Sequence, residues 1–178
     1  MSGFLTKNQL LAYLQPSQTG VKPLIENMID STVQIQPAGI DLSLQKIFSF
    51  ESAAVLAFTQ AQTTLPSYRE LSFDEAEQVF LPPGPYKVLL NEIVNLPRNL
   101  VGIARPRSTL ARSGIAAVTA LWDPGYSGRS EIMLQVHNPH GLTIARNTRV
   151  IQLCFWELDE PLCEGEAYLG RYQLENLT

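Results

Sequence analysis

The sequence predicts a mainly β fold, either a sandwich or a barrel, on three observations. From about residue 33 onward, short runs rich in aliphatic and β-branched residues are separated by Pro, Gly and Asn, which is the spacing expected of such folds. A length of 178 residues fits one domain, and 45% hydrophobic residues can form its core. The predicted strands lie at residues 40–44, 86–90, 100–104, 132–137 and 149–156. We expect a single domain (1–178) with an N-terminal helix and loop (1–32), a β core (33–158) and a C-terminal tail (159–178).

A short helix is predicted before the β core. Thr6 is a suitable N-cap, and Gln9 stands at the capping-box position three residues later. Leucines at helical spacing favour a helix over residues 7–14, which ends before Pro16 because proline restricts the residue that precedes it. Residues 17–23 are predicted to form a loop.

Composition and charge restrict the possible partners. The net charge is −4 and no run of Lys or Arg occurs, which argues against nucleic acid. A local basic cluster between residues 98 and 112 favours a small anionic ligand instead. The low charge content hints at surface buried in an oligomer. The N-terminus is too short and polar for a signal peptide or a membrane span, so no membrane partner is expected.

The two cysteines, Cys154 and Cys163, favour free thiols in a reducing compartment over a disulfide. We therefore expect the protein in the cytoplasm, or in the nucleus if the host is a eukaryote. Residues 53–81 are the least regular part of the β core, and we expect a hairpin there with one helical turn around residues 74–76.

Two polar residues stand within predicted strands. Gly39 precedes Asp41, and a glycine in a strand indicates close approach of another backbone. Asp41 could orient metal-bound water or pair with an arginine. Gln152 lies between Ile151 and Leu153 and needs a partner, which a phosphate or a hydrogen bond in the core could provide.

The segment around Asp123 is the most informative. Alternation over residues 118–122 predicts a strand, and Asp123-Pro-Gly-Tyr126 predicts a type II turn with Pro second and Gly third. The return strand from residue 131 should turn Ile132, Leu134 and Val136 to one face. A carboxylate held beside a rigid turn can act as a general base toward water. Aspartate also commonly opens turns, so a purely structural role remains open for Asp123.

A candidate phosphate site follows the strand at 100–104. Arg107, Ser108, Thr109 and Arg112 bring two guanidinium groups and two hydroxyls together, and such groups bind phosphate oxygens. A helix starting at Ser108 would add its first backbone N–H groups. The alternative is a solvated surface turn, but the flanking Leu110 and Ala111 are predicted to be buried.

Taken in order, AGIDL, PRSTLAR, TALWDPGYSGR and RVIQL resemble the motif series of the dUTPase and dCTP deaminase superfamily, from residue 36 to about 155. The resemblance implies a distorted β-barrel or jelly-roll subunit (the dUTPase-like β-clip), a homotrimer with active sites shared between subunits, and Mg²⁺ on the triphosphate.

The resemblance also implies roles for single residues. Asp123 would activate the attacking water, and Tyr126 would pack on deoxyribose and disfavour a 2′-hydroxyl. Asp41 would lie near the metal-bound water. The phosphates would be bound by Arg107, Ser108, Gln152 and Arg112, with Thr109 beside them, and the backbone around Thr119 and Ala120 would recognise the base.

The choice between the two chemistries rests on two features. Thr119 and Asp123 are four apart, one fewer than in the deaminase pattern, and Gln135 stands where a deaminase has its catalytic Glu. An amide cannot transfer the proton that deamination needs. The sequence TALWDPGYSGRSE, with QVHN after it, is similar to that of archaeal-type dUTPases, which hydrolyse dUTP to dUMP and pyrophosphate. Glu131, four residues before Gln135, is nevertheless a carboxylate that could transfer this proton.

The tail keeps alternatives open. Residues 167–173 are closer to the deaminase style than to the Gly-rich closing motif of trimeric dUTPases, and Arg171 could clamp a phosphate from a mobile tail. A dCTP deaminase, mono- or bifunctional, is therefore the nearest alternative. A non-catalytic nucleotide-binding protein is a second.

Overall fold

The computed structural model describes residues 3–15 and 22–177, so residues 17–21 of the predicted loop lie outside the described part. The described helices are α1 (Lys7–Leu14), α2 (Ser31–Gln34), α3 (Ser108–Arg112) and two 3₁₀ turns at Gln60–Gln62 and Glu164–Glu166. The strands are β1 (Ile25–Glu26), β2 (Ile35–Gln36), β3 (Gly39–Phe50), β4 (Tyr68–Leu71), β5 (Gln78–Leu81), β6 (Gly84–Asn95), β7 (Leu100–Pro106), β8 (Ile115–Val118), β9 (Ser127–Val136), β10 (Leu142–Ala145) and β11 (Arg149–Glu157).

Helix α1 has the predicted bounds. The Gln9 side chain accepts hydrogen bonds from the Thr6 backbone N–H at 2.8 Å and from its hydroxyl at 2.9 Å, as a capping glutamine should. Leu10 is fully buried and attaches the helix to the core. No helix in the described residues is long and apolar enough to cross a membrane.

The sheet is antiparallel throughout and nearly closes on itself. Its main path runs β7-β11-β3-β6-β9-β8, with β1, β2 and β4 paired to the side of it, and β5 pairs separately with β10. The two end strands approach each other where Gly102 of β7 exchanges backbone hydrogen bonds of 2.9 and 3.0 Å with Trp122, shortly after β8. The predicted mainly β, barrel-like fold is confirmed.

The core follows strand alternation. Ile132, Leu134 and Val136 are buried on one face of β9, as predicted, while their neighbours face outward. The first six residues of β3 are all buried. Gly39 is required there, because a Cβ atom at this position would lie 2.6 Å from the Leu153 carbonyl oxygen of β11.

One polar cluster lies inside the core beneath β3. The Glu92 carboxylate is fully buried and accepts hydrogen bonds from the Ser43 backbone N–H (2.8 Å), the Ser43 hydroxyl (2.6 Å) and Gln34 Nε2 (2.6 Å). Gln34 Nε2 also donates to the Asp41 carbonyl oxygen at 2.8 Å. Burial raises the pKa of Glu92, and these hydrogen bonds oppose that rise. The cluster fixes the backbone of β3 at Asp41 and Ser43.

Three local predictions were wrong. Strand β8 ends at Val118, so residues 119–121 are irregular and only Trp122 makes an isolated bridge, because the chain leaves β9 there and crosses to β7. Residues 74–76 form a turn, since the Asp74 side chain accepts from the backbone N–H groups of Ala76 and Gln78 and Glu77 has a φ of 56°. Ala111 is exposed because only the Leu110 side of the short α3 faces the core.

Candidate active site

The turn after Trp122 has the predicted type II geometry. The Tyr126 backbone N–H donates to the Asp123 carbonyl oxygen at 3.1 Å, and Gly125 has a φ of 88°. That angle suits the third turn position and favours glycine. Asp123 is exposed, so its carboxylate is available to a bound molecule. It lies on an irregular segment and not at the end of a buried strand, which corrects the predicted setting.

Asp123 borders a pocket of about 380 Å³. Three parts of the chain line the pocket: residues 120–131, the segment that leads into β4 together with its first residue, and the C-terminal tail. The lining residues are Ala120, Leu121, Trp122, Asp123, Tyr126, Ser130, Glu131, Leu65, Tyr68, Tyr168, Tyr172 and Glu175. Its size and its mixture of aromatic and polar groups suit a small polar molecule with a planar ring.

A chain of hydrogen bonds runs along one wall of the pocket. Trp122 Nε1 donates to Ser130 Oγ at 2.7 Å, Ser130 Oγ lies 2.9 Å from the Tyr126 hydroxyl, and that hydroxyl donates to Glu175 Oε1 at 2.8 Å. Indole can only donate, so Ser130 accepts from Trp122 and its own proton is available to Tyr126. Burial raises the pKa of Tyr126 and also that of Glu175.

The C-terminal tail is attached to the same turn. The Tyr168 backbone N–H donates to the Pro124 carbonyl at 2.8 Å, and the Leu174 N–H donates to the Ser127 carbonyl at 2.7 Å. Gln173 accepts from the Ser127 N–H and donates to the Gly125 carbonyl, both at 2.9 Å. The tail therefore forms part of the pocket wall.

An ion pair reaches the pocket through Glu131. Lys87 Nζ lies 2.8 Å from Glu131 Oε1 and 3.8 Å from the centroid of the Tyr68 ring. Tyr68 belongs to β4, so part of the irregular segment 53–81 contributes to the pocket. Gln135, which occupies the position of the deaminase Glu, does not line the pocket in the described structure.

A second polar group surrounds Asp41. Its Oδ2 lies 3.0 Å from Arg107 Nε and 3.1 Å from Arg149 Nη1, and only 2% of its side chain is exposed. This confirms pairing with an arginine, one of the two predicted roles of Asp41. Burial raises the pKa of Asp41, and the two guanidinium groups oppose the rise.

The other phosphate candidates lie near this group. Ser108 begins α3, as predicted, and Ser108, Thr109 and Arg112 are all exposed. Gln152 is opposite Asp41 in the β11–β3 register and opposite Arg105 in the β11–β7 register. Its half-buried side chain makes no hydrogen bond within the described residues, so it can still accept one from a ligand.

The predicted residues thus fall into two groups. Asp123, Tyr126 and Ala120 line the pocket, while Thr119 is only half-buried beside it. Arg107, just after β7, pairs with Asp41 of β3, and Gln152 of β11 lies opposite Asp41. No hydrogen bond or ion pair between described residues joins the two groups. Arg171 is exposed, with its guanidinium 6.0 Å from the Tyr172 ring centroid.

Sequence reasoning missed three residues of these groups. Arg149 pairs with Asp41, and Ser130 and Glu175 hold the Tyr126 hydroxyl. Arg149 opens the RVIQL motif, so its spacing from Gln152 was a usable signal. No sequence signal pointed to Glu175, because the tail has no strand or helix periodicity.

Residues 3–15 and 22–177 contain no cluster of three or more His, Cys, Asp or Glu side chains that could hold an ion.

Known proteins resemble this chain along most of its length. A family described as dCTP deaminase-like matches residues 4–158. A Methanosarcina mazei protein named "Probable deoxyuridine 5'-triphosphate nucleotidohydrolase" is 46% identical over 154 residues, which are 86% of this chain and 89% of that protein. A Methanocaldococcus jannaschii protein named "Deoxyuridine 5'-triphosphate nucleotidohydrolase" is 40% identical over 125 residues, 70% of this chain and 79% of that one.

A solved structure supports the fold. The crystal structure of 2'-deoxycytidine 5'-triphosphate deaminase from Agrobacterium tumefaciens matches with a TM-score of 0.64 and 21% identity. The match covers 88% of this chain and 49% of the deaminase, so this chain spans about half the length of that protein. At this level of identity the likeness concerns the fold alone.

Proposed function

The chain belongs to the dCTP deaminase-like family, and from that premise we propose that it hydrolyses dUTP to dUMP and pyrophosphate. Relatives 40–46% identical carry the name deoxyuridine 5'-triphosphate nucleotidohydrolase, which makes the chain a dUTP diphosphatase. The observation that carries the proposal is the exposed Asp123 carboxylate at the edge of the pocket, held by the type II turn. A carboxylate so placed can remove a proton from water, whereas Gln135 cannot.

In the proposed reaction, water attacks the α-phosphorus while Asp123 takes its proton. Negative charge then grows on the pyrophosphate leaving group, and cationic side chains stabilise it. We assign that role to Arg107, with Ser108, Thr109, Arg112 and Gln152 as further phosphate ligands. Arg107 already lies 3.0 Å from Asp41, so its guanidinium is oriented before the substrate binds.

Mg²⁺ fits this site as a companion of the substrate. The described residues offer no acidic cluster, which agrees with an ion held mainly by the triphosphate oxygens and water. Asp41 would approach such an ion only through water, because its Oδ2 is engaged by two arginines. When bound, the ion would neutralise charge on the phosphates.

The nucleoside would occupy the pocket. We propose that the Tyr126 ring packs against deoxyribose and leaves no room for a 2′-hydroxyl, and that the backbone around Thr119 and Ala120 binds the uracil edge. Backbone donors and acceptors that fit uracil would remain unpaired with cytosine, and unpaired polar groups can discriminate by about 10⁴.

We also propose a homotrimer with shared active sites. No hydrogen bond or ion pair between described residues joins the nucleoside pocket to the Asp41 group within one chain. A neighbouring copy that brings its Asp41 group to the pocket would complete the site. Location in the cytoplasm stays a prediction.

The principal test compares Asp123→Asn with Asp159→Asn, which changes an exposed aspartate outside both groups. We expect Asp123→Asn to bind dUTP normally but to release pyrophosphate at least about 100-fold more slowly, the usual contribution of a general base. The control should retain full turnover. Near-normal turnover of Asp123→Asn would exclude this carboxylate as the base.

Glu131 gives the alternative chemistry a specific basis, because its carboxylate lines the same pocket beside Lys87. If the protein deaminates dCTP, incubation with dCTP will release ammonia, and Glu131→Gln will abolish that release. We expect pyrophosphate from dUTP and no ammonia from dCTP when both are assayed side by side with Mg²⁺.

Arg171 is proposed as a phosphate clamp on the tail. Arg171→Ala should then raise the KM for dUTP, since an exposed guanidinium can contact the triphosphate without shaping the pocket. Unchanged KM and kcat would remove Arg171 from the site.

A further inference from the structure

The Tyr126 hydroxyl is held from two sides by groups that do not belong to the turn itself. Ser130 lies 2.9 Å away on β9 and Glu175 lies 2.8 Å away on the C-terminal tail. Tyr126, Ser130 and Trp122 are each at most 6% exposed, so their hydrogen bonds are shielded from water, while the bond to Glu175 is partly buried. Shielded hydrogen bonds restrain a side chain more firmly than exposed ones.

The direction of the protons gives Glu175 a defined place. Trp122 can only donate, so Ser130 accepts from it. The single proton of the Tyr126 hydroxyl goes to the Glu175 carboxylate, so Ser130 is the donor in its contact with Tyr126 while that bond is made. The carboxylate is the final acceptor. Without it, the acceptor left beside the Tyr126 proton would be Ser130 Oγ, which already accepts from Trp122.

The backbone makes room for this contact. A Cβ atom at Gly128 would lie 2.7 Å from the Tyr126 hydroxyl oxygen and 3.1 Å from Glu175 Cγ. The ring and the carboxylate therefore pack together against a strand position that carries no side chain. Tyr168 adds an edge contact to the Tyr126 ring, with the ring centroids 5.7 Å apart.

Other charges face Glu175 across the pocket. The negative charge of Glu131 raises the pKa of Glu175, and the positive charge of Lys87 lowers it. These two residues form an ion pair with each other, so their fields at Glu175 largely cancel. The short hydrogen bond to Tyr126 is then the specific interaction that Glu175 makes.

We propose that Glu175 is a positioning residue that fixes the Tyr126 ring against the sugar of the substrate, and so sets the preference for deoxyribose over ribose. The inference rests on the proposed function, because it assigns Tyr126 to the sugar. It adds that the tail takes part in nucleoside selection through one carboxylate, in addition to any contact with phosphates.

The test is a double-mutant cycle with Glu175→Ala, Tyr126→Phe and the combination, plus Glu175→Gln. The readouts are kcat and KM for dUTP, and the ratio of the dissociation constants of dUMP and UMP by calorimetry. We expect Glu175→Ala to reduce the preference for dUMP by about tenfold, the effect of losing a hydrogen bond to a charged group. Glu175→Gln should restore most of it, because its side-chain carbonyl still accepts from Tyr126.

In the Tyr126→Phe background the effect of Glu175→Ala should largely disappear, since the hydroxyl it acts through is absent. An equal effect in both backgrounds would mean that Glu175 merely attaches the tail, and the inference would be wrong. Glu160→Ala, an exposed acidic residue, controls for the lost charge. Failure of the wild type to hydrolyse dUTP would refute the proposed function, while the dUMP and UMP affinities would still decide the role of Glu175.

Discussion

Replacement of Glu92 tests whether the polar cluster under β3 is a structural requirement. Glu92→Gln keeps the shape of the side chain but replaces one carboxylate oxygen by an NH₂ group. All three partners of Glu92 are donors: the Ser43 N–H, the Ser43 hydroxyl and Gln34 Nε2. At least one donor must then face another donor in a fully buried position.

The expected cost follows from the number of donors left without an acceptor. One unpaired buried donor lowers the free energy of unfolding by about 1–3 kcal/mol, so Glu92→Gln should lose about that much. Glu92→Ala leaves all three donors unpaired beside a cavity and should lose about 3–5 kcal/mol. Glu70→Gln, in an exposed pair with Lys46, should change stability by less than about 0.5 kcal/mol.

Urea denaturation at one fixed protein concentration measures these losses, because stability of an oligomer depends on concentration. The pH dependence adds a second criterion. The pKa of Glu92 is raised in the folded protein, so the folded state binds a proton more tightly than the unfolded state. Its contribution to stability is therefore greatest below the unfolded pKa and declines as pH rises through the folded pKa.

Glu92→Gln removes this titration, so its loss relative to wild type should be larger near pH 5 than near pH 8. A Glu92→Gln variant as stable as wild type would refute the argument from unpaired donors. A loss that grows with increasing pH would show that the three donors outweigh burial and lower the pKa.

Three further substitutions test other contacts. Gly39→Ala should destabilise by about 1–3 kcal/mol in thermal unfolding, because its Cβ would meet the Leu153 carbonyl oxygen of the neighbouring strand at 2.6 Å; an unchanged midpoint would contradict this close approach. Gly125→Ala should release the tail to limited proteolysis, since the turn needs a φ of 88° and the new methyl would lie 2.7 Å from Ala167 Cβ; equal cleavage rates would argue against it. Arg149→Ala should cost about 1–3 kcal/mol in urea, because it removes one of two cations from a buried carboxylate, and more than Arg69→Ala in an exposed pair; equal losses would mean that Arg107 alone suffices.

Local patterns predicted those parts of the fold that depend on neighbours in sequence. The capped helix α1, the outward and inward alternation of β9 and the type II turn each follow from a few adjacent residues. The strand predicted over residues 118–122 failed because alternation cannot show where a chain changes its partner. There it leaves β9 after Val118 and reaches Gly102 of β7 at Trp122.

Site residues that belong to a sequence motif could be predicted. Residues that reach the site only through strand register or the path of the tail could not. Asp41 and Arg107 were recognised, but the position of Arg149 depends on an irregularity in the β11–β3 register between Arg149 and Ile151. Glu175 reaches Tyr126 from 49 residues away through a tail without regular structure. Only the folded chain brings these groups together.

The order of strands in the sheet also bears on how the chain is made. Leu42 in β3 pairs with Ile151 in β11, so residues 40–43 of β3 lack their β11 partner until about 110 more residues have been synthesised. At ordinary translation rates this interval is on the order of 5–20 seconds. During that time an apolar strand edge on the nascent chain is open to pairing with other polypeptides. The β3–β11 pairing is thus a late event, because β11 is the last of the described strands in chain order.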